Sequence, residues 1–298
     1  MELLKLEALE NYSLSLALFE IENAKAVVQI VHGMEEHKER YYSFAEFLNN
    51  NGYNVVVSDL RGHGVDAPKL SHIANKDGEK LLIDDQNRIY NFIKERYNNL
   101  PVILFGHSMG TIISRVLLQT KSMNYQKTVL TGYVAPNPAS GIAVHLGNQA
   151  RRFRGAEKKT KLLTNLALGP YTKAVKNRKT DLDWLSYNEE NVNKYIEDPL
   201  CGVEFTNGSY SALFHLLKQM GKKKSYVELN KHMPILLAAG VDDPCTGGEK
   251  GRLNSKKILD QVGFSDISVI TYPNMRHEIL NETDKDKVYN DILEFLNK

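Results

Sequence analysis

Residues 106–110 read Gly-His-Ser-Met-Gly and stand between a short apolar run, Pro-Val-Ile-Leu-Phe at 101–105, and a helical pattern at 109–120. A strand that ends in G-x-S-x-G and opens a helix is the arrangement of a nucleophile elbow. Its strained turn lifts the serine above the sheet edge, and small residues around it avoid clashes. The helix N-terminus adds free N–H groups and a dipole that favours negative charge. By average residue usage the bare pattern arises in roughly one chain in ten of this length, so the flanking elements carry the weight.

Further short apolar runs lie at 26–31, 54–57, 235–239 and 267–271. Nearly continuous runs of this length suit strands buried on both faces of a parallel sheet. Helical patterns at 41–50, 82–97 and 284–297 alternate with them; in the last, Val288, Ile292, Phe295 and Leu296 share one face. The expectation is a doubly wound, mostly parallel α/β sheet with right-handed crossovers. Alternation around Leu14, Leu16 and Leu18 suggests an antiparallel start to the sheet. With 298 residues, 42% of them hydrophobic, the chain can bury a sizeable core.

The strand–helix alternation stops between about Ala135 and Lys224. We expect an inserted, mainly helical cap at 135–225 over a core formed by 1–134 and 226–298. The cap's first half is basic: between 151 and 180, Glu157 is the single acid among Arg151, Arg152, Arg154, Lys158, Lys159, Lys161, Lys173, Lys176, Arg178 and Lys179. This segment is the candidate for peripheral contact with an anionic membrane; the plainer alternative is a solvated face. Leu162, Leu163, Leu166, Leu168, Trp184, Leu185, Phe205, Leu213 and Phe214 either line an apolar channel or form the cap's own core.

A serine nucleophile needs a base, and the base an orienting acid. Behind an elbow of this kind they follow in the order Ser, Asp or Glu, His, on loops after later strands. Run 235–239 leads to Asp242-Asp243-Pro244, and run 267–271 leads to His277. Of nine histidines, His277 alone follows the last strand. Asp243 is favoured over Asp242, the competing reading being a turn-forming Asp before Pro244. For an oxyanion the expected donors are the backbone N–H groups of Met109, after the nucleophile, and Met34, in the loop His32-Gly33-Met34-Glu35-Glu36-His37. No cofactor is called for. A metal site is disfavoured, because His32 and His37 do not form H-E-x-x-H.

The net charge of +2 excludes a strong electrostatic case for nucleic acid. Two distant cysteines, Cys201 and Cys245, form no disulfide framework. The first residues lack a secretory signal's basic start and unbroken apolar stretch, and no run approaches the roughly 18 apolar residues of a membrane span. The expectation is a cytoplasmic protein.

With these motifs the chain resembles, over nearly its whole length, the bacterial lysophospholipase and monoacylglycerol lipase branch of the α/β-hydrolases, often grouped with serine aminopeptidases. The family's H-G-x-x-E-H matches His32, Gly33, Glu36 and His37; D-x-R-G-H-G matches Asp59, Arg61, Gly62, His63 and Gly64; G-H-S-M-G matches 106–110. G-x-x-D matches Gly240 and Asp243, which supports Asp243, and H-E matches His277 and Glu278. Within the cap, Asp183-Trp184-Leu185-Ser186 and Asp198-Pro199-Leu200-Cys201-Gly202 resemble bacterial members. Asp66 and Thr111 depart from the pattern without touching the triad; Thr111 is expected to tighten packing behind the elbow. The resemblance implies an α/β-hydrolase fold and ester hydrolysis through an acyl-enzyme, with Ser108, His277 and Asp243 as nucleophile, base and acid. A lysophospholipid or monoacylglycerol is the implied substrate.

Two alternatives remain at this stage. The same fold serves thioesterases, amidases and aminopeptidases; an aminopeptidase needs cap acids to hold an amine, and Asp181, Asp183, Glu189, Glu190 and Glu197 are available. A non-catalytic ligand-binding protein would ordinarily lack a triad member, and here all three positions are filled.

Overall fold

A computed structural model describes residues 1–98, 100–137 and 139–298. Among these, eight strands form one sheet: β1 (Glu2–Ala8), β2 (Tyr12–Phe19), β3 (Ala26–Val31), β4 (Tyr53–Ser58), β5 (Val102–His107), β6 (Lys127–Thr131), β7 (Ile235–Gly240) and β8 (Ile267–Tyr272), in the order β1-β2-β4-β3-β5-β6-β7-β8. The β1/β2 and β2/β4 pairs are antiparallel and every later pair is parallel. This is the mostly parallel α/β-hydrolase architecture expected, antiparallel start included.

Side chains alternate across the strands, so each run feeds two cores. Val28, Ile30, Val55, Val57 and Phe105 pack with α1 (Tyr42–Asn50) and α10 (Lys285–Asn297) through Phe44, Leu48, Tyr289 and Ile292. Val27, Val31, Val56, Leu104 and Leu237 face α2 (Gly78–Arg96) and α3 (Met109–Lys121) through Leu82, Ile89, Ile113 and Leu117. Only β8, at the sheet edge, departs from the expected two-sided burial, with Val269 41% exposed.

Among the described residues, five α-helices lie between β6 and β7: α4 (Ser140–Arg154), α5 (Lys161–Ala167), α6 (Gly169–Ala174), α7 (Glu189–Glu197) and α8 (Asn207–Met220). They account for the break in alternation. α8 packs against α2, α3 and α4, and most of its residues are buried. Of the residues expected to line a channel or fill a cap core, Leu163, Phe205 and Phe214 are core, while Leu162 and Leu166 are exposed. No helix among the described residues is long and apolar enough to cross a membrane.

The chain runs from β3 outward to β4 and then returns to place β5 on the other side of β3. Such a reversal opens a crevice at the carboxyl ends of the strands, where ligands bind in open α/β sheets. The loop after β3 and the elbow after β5 are therefore neighbours.

Candidate active site

The elbow is strained. Ser108 adopts φ 52° and ψ −118°, outside the usual wells of an L-residue. A Cβ at Gly106 would run into the Gly110 backbone, and one at Gly110 would run into the Val31 carbonyl; the motif's glycines are steric necessities. Thr111 Oγ1 donates to the Ser108 carbonyl at 2.7 Å and is fully buried, which gives the tightening expected of it.

Residues from three loops meet here. His277 Nε2 lies 2.8 Å from Ser108 Oγ, positioned to accept the hydroxyl proton. His277 Nδ1 lies 3.1 Å from both carboxylate oxygens of Asp243. Asp243 Oδ1 also accepts from the Cys245 N–H at 2.8 Å, which fixes its rotamer. Asp242 stands outside this arrangement and accepts from Tyr187 Oη at 3.2 Å. Burial lowers the pKa of His277, but the Asp243 carboxylate outweighs it, and the net shift is upward from 6.5.

The loop after β3 is held from all sides. His32 Nδ1 donates to the Gly33 carbonyl at 2.8 Å, and its Nε2 accepts from the Leu60 N–H at 2.9 Å. His63 Nδ1 donates to the Arg61 carbonyl, and its Nε2 accepts from the Glu35 N–H at 3.3 Å. Both patterns require neutral imidazoles. Burial supplies them, lowering His32 to about 4 and His63 to about 3. Glu36 Oε1 accepts from the Gly33 N–H at 2.5 Å and from Tyr41 Oη at 2.7 Å. Among the described residues, no acceptor engages the backbone N–H of Met34 or Met109. The two groups expected to receive an oxyanion are thus free to do so.

Above these residues lies a cavity bordered by Ser108, Met34, Met109 and His277. Its walls are mostly apolar, with Ile112 and Val134 from outside the inserted segment and Leu168, Trp184, Leu213 and Leu217 from within it. The Trp184 ring centroid is 5.0 Å from that of His277. Three carboxyls, Glu35, Glu36 and Glu278, also border the cavity, and no Lys or Arg among the described residues does. Burial pushes Glu35 up to about 7.

The acids of the inserted segment that an aminopeptidase would use lie elsewhere. Asp181 pairs with Arg178, Glu189 with Lys179 and Glu190 with Lys194. Asp183 accepts from the Lys179 and Thr180 N–H groups, and Glu197 is exposed. None of the five borders the cavity.

Motif-based reading named Glu36 and Glu278 but missed Arg40, Arg276 and Glu282, which support the site with them. Arg40 Nη2 donates to Glu278 Oε2 at 2.6 Å and Arg40 Nε to Glu36 Oε2 at 3.2 Å. The Glu278 N–H donates to the Leu185 carbonyl at 2.7 Å, and Arg276 Nη1 donates to the Asp183 carbonyl at 2.6 Å. Glu282 accepts from Ser186 Oγ and from the N–H groups of Tyr187 and Asn188. The segment at 183–188 is in this way fastened to the loop that carries His277. Two groups of potential metal ligands occur among the described residues: Asp243, Cys245 and His277, and His37, Asp198 and Cys201. In the second, His37 is already hydrogen-bonded to Glu39 at 2.5 Å and Asp198 at 2.8 Å.

Fold and site together define an α/β-hydrolase with a buried Ser-His-Asp constellation beneath an apolar cavity. Residues 22–284 match the profile of the family described as Serine aminopeptidase, S33, and the chain belongs to that family. It is 26% identical over 278 residues to the monoacylglycerol lipase of Mycolicibacterium smegmatis, spanning 91% of this chain and 88% of that one. It is 24% identical over 264 residues to the phospholipase YtpA of Bacillus subtilis, spanning 89% and 92%. Among solved structures, a thermostable carboxyl esterase from Bacillus coagulans superposes with a TM-score of 0.92 at 23% identity, covering 99% of this chain and 97% of that chain.

Proposed function

We propose that the protein hydrolyses the carboxylic ester of a monoacylglycerol through an acyl-enzyme. The observation that carries this reading is the Ser108–His277 contact at 2.8 Å, set beside two unengaged N–H groups under a mostly apolar cavity. His277 takes the Ser108 proton as Oγ attacks the ester carbonyl, and Asp243 orients the ring and stabilises its charged form. The carbonyl oxygen becomes an oxyanion held by the N–H groups of Met34 and Met109. His277 then protonates the leaving alcohol. Water repeats the sequence on the acyl-enzyme and releases the fatty acid.

The apolar walls suit an acyl chain. The absence of Lys and Arg from the described lining favours a neutral glycerol over a phosphate-bearing head group inside the cavity. The relatives named as a monoacylglycerol lipase and a phospholipase support both lipid classes. Residues 135–225 serve as the cap in this reading, over a core of 1–134 and 226–298.

We further propose that the cap meets an anionic membrane surface from which such a lipid is drawn. Phe153 is 75% exposed between Arg152 and Arg154, and Leu162 is 60% exposed beside Lys161. Apolar side chains set among cations are what interfacial binding uses.

The test is fatty-acid release from a monoacylglycerol and from a lysophospholipid, side by side, for wild type and Ser108→Ala. Release by wild type alone, faster from the monoacylglycerol, is expected. Equal release by the variant would remove Ser108 as nucleophile; faster release from the lysophospholipid would overturn the head-group assignment.

A further inference from the structure

Glu35 stands beside Met34 at a position that the H-G-x-x-E-H pattern leaves open. Its backbone has φ 57°, in the left-handed region where glycine costs nothing and a glutamate is disfavoured. A side chain persists in such a conformation when its surroundings hold it there. Here every polar group of the residue is engaged. Its N–H donates to His63 Nε2 at 3.3 Å. Its carbonyl accepts from Tyr195 Oη at 2.7 Å and from the Gly202 N–H at 2.9 Å. Its carboxyl accepts from the Phe205 N–H at 3.1 Å. His63 belongs to the loop after β4, and the other three donors come from the inserted segment.

We propose that Glu35 is a positioning residue that fastens the oxyanion turn to the cap and so holds the Met34 N–H in register with that of Met109. The proposal rests on the reading of Met34 as an oxyanion donor. Its geometry is one of linkage: the peptide that presents the Met34 N–H is followed directly by a residue with three bonds to residues 195–205. Without them the turn retains its supports from His32, Glu36 and His63 but loses its ties to residues 195–205; the side chain supplies one of these ties, to the Phe205 N–H, and the backbone carbonyl the other two. Complete removal of one oxyanion donor costs roughly 10²–10³-fold in kcat; a loosened donor costs part of that. Ground-state binding of the acyl chain, made by the apolar walls, is left alone.

The experiment uses the full chain and a soluble short ester, p-nitrophenyl butyrate. Binding of a trifluoromethyl ketone, whose adduct with Ser108 bears an oxyanion, is measured in parallel. Glu35→Ala is expected to lower kcat by about tenfold or more, with KM within about twofold, and to weaken ketone binding by the same factor as kcat/KM. Glu35→Gln keeps an acceptor for the Phe205 N–H and is expected to recover most of the rate. Tyr195→Phe removes one oxygen from the cap side and should shift kcat in the same direction, guarding against a folding defect in Glu35→Ala. In the double variant the two losses should fall short of additive. Wild-type kcat and ketone affinity in both single variants would overturn the proposal, as would a loss confined to KM. A wild type that neither turns over the ester nor binds the ketone would overturn the underlying ester-hydrolase reading instead.

Discussion

Arg40 and Glu278 are joined at 2.6 Å across the two loops that flank Ser108, and the same guanidinium reaches Glu36 at 3.2 Å. Glu36 holds the Gly33 N–H, and Glu278 directly follows His277. One cation thus supports the turn after β3 and the loop that carries His277 together. Burial pushes both carboxyls up; Glu36 is nonetheless brought down to about 2, whereas Glu278 remains above the ordinary range.

Arg40→Ala is expected to leave two buried carboxyls facing each other without their cation. Loss of one partner from a buried pair costs about 3–5 kcal/mol, so urea unfolding should show a clear fall in midpoint. Arg40→Lys places the charge but cannot bridge both carboxylates as a fork, and an intermediate midpoint is expected. A midpoint unchanged in Arg40→Ala would mean that the bridge contributes little.

The acid side of the pH profile reports His277. The ring must be neutral to accept the Ser108 proton, and its pKa is raised above 6.5 by Asp243. Turnover should therefore rise with pH through a pKa above that of a free histidine. In Asp243→Asn the carboxylate that raises it is gone, so the limb should move to lower pH while kcat falls by roughly 10⁴-fold. Rates on a soluble ester between pH 5 and pH 9 give both quantities. A limb that stays where it was in the variant would separate Asp243 from His277.

Leu213 and Leu217 are one turn apart on α8, and both border the cavity. Leu217→Phe fills part of the space for an acyl chain. Since each buried methylene is worth about 0.8 kcal/mol, excluding two or three should cut the preference for long over short esters by tenfold or more. The ratio of kcat/KM for a sixteen-carbon and an eight-carbon monoacylglycerol is the readout; an unchanged ratio would place the chain elsewhere.

Phe153→Asp with Leu162→Asp removes the exposed apolar pair and adds negative charge among the cations. Sedimentation with phosphatidylglycerol vesicles at low salt should fall sharply, while hydrolysis of a soluble ester stays near wild type. Wild-type binding should also weaken as salt rises. Full binding by the double variant would show that another face meets the lipid.

β3, β4, β5 and β7 were legible because burial on both faces writes continuous apolar runs, and β8 was legible from its β-branched residues although it is partly exposed at the sheet edge. β6 was not: Lys127-Thr-Val-Leu-Thr offers two large apolar residues, and its lysine is buried through bonds to the carbonyls of Phe295 and Leu296 at the end of α10. α9 (Gly248–Val262) also escaped notice, since Ser255, Ile258 and Leu259 are its only buried residues and two glycines interrupt it. Order along the chain, which the loops after successive strands impose, points to Ser108, Asp243 and His277, and these three side chains meet in the structure. The supports follow no such order. Glu278 was legible only as a motif member, while Arg40 and Glu282 also meet partners distant in sequence, and nothing local distinguishes a buttress from a surface charge. His32 and His63 were legible only as motif members, and their fixed tautomers emerge from burial.

The bonds between Glu35 and residues 195–205 also bear on engineering. A chimera that exchanges residues 135–225 for the corresponding segment of a relative would bring a foreign backbone to a turn shaped by this one. Position 35 lies far outside any such graft in the linear chain, yet it is a junction residue. Substrate range in this scaffold is therefore better altered by changing cavity walls one at a time than by transplanting residues 135–225 as a cassette, unless the recipient turn travels with them.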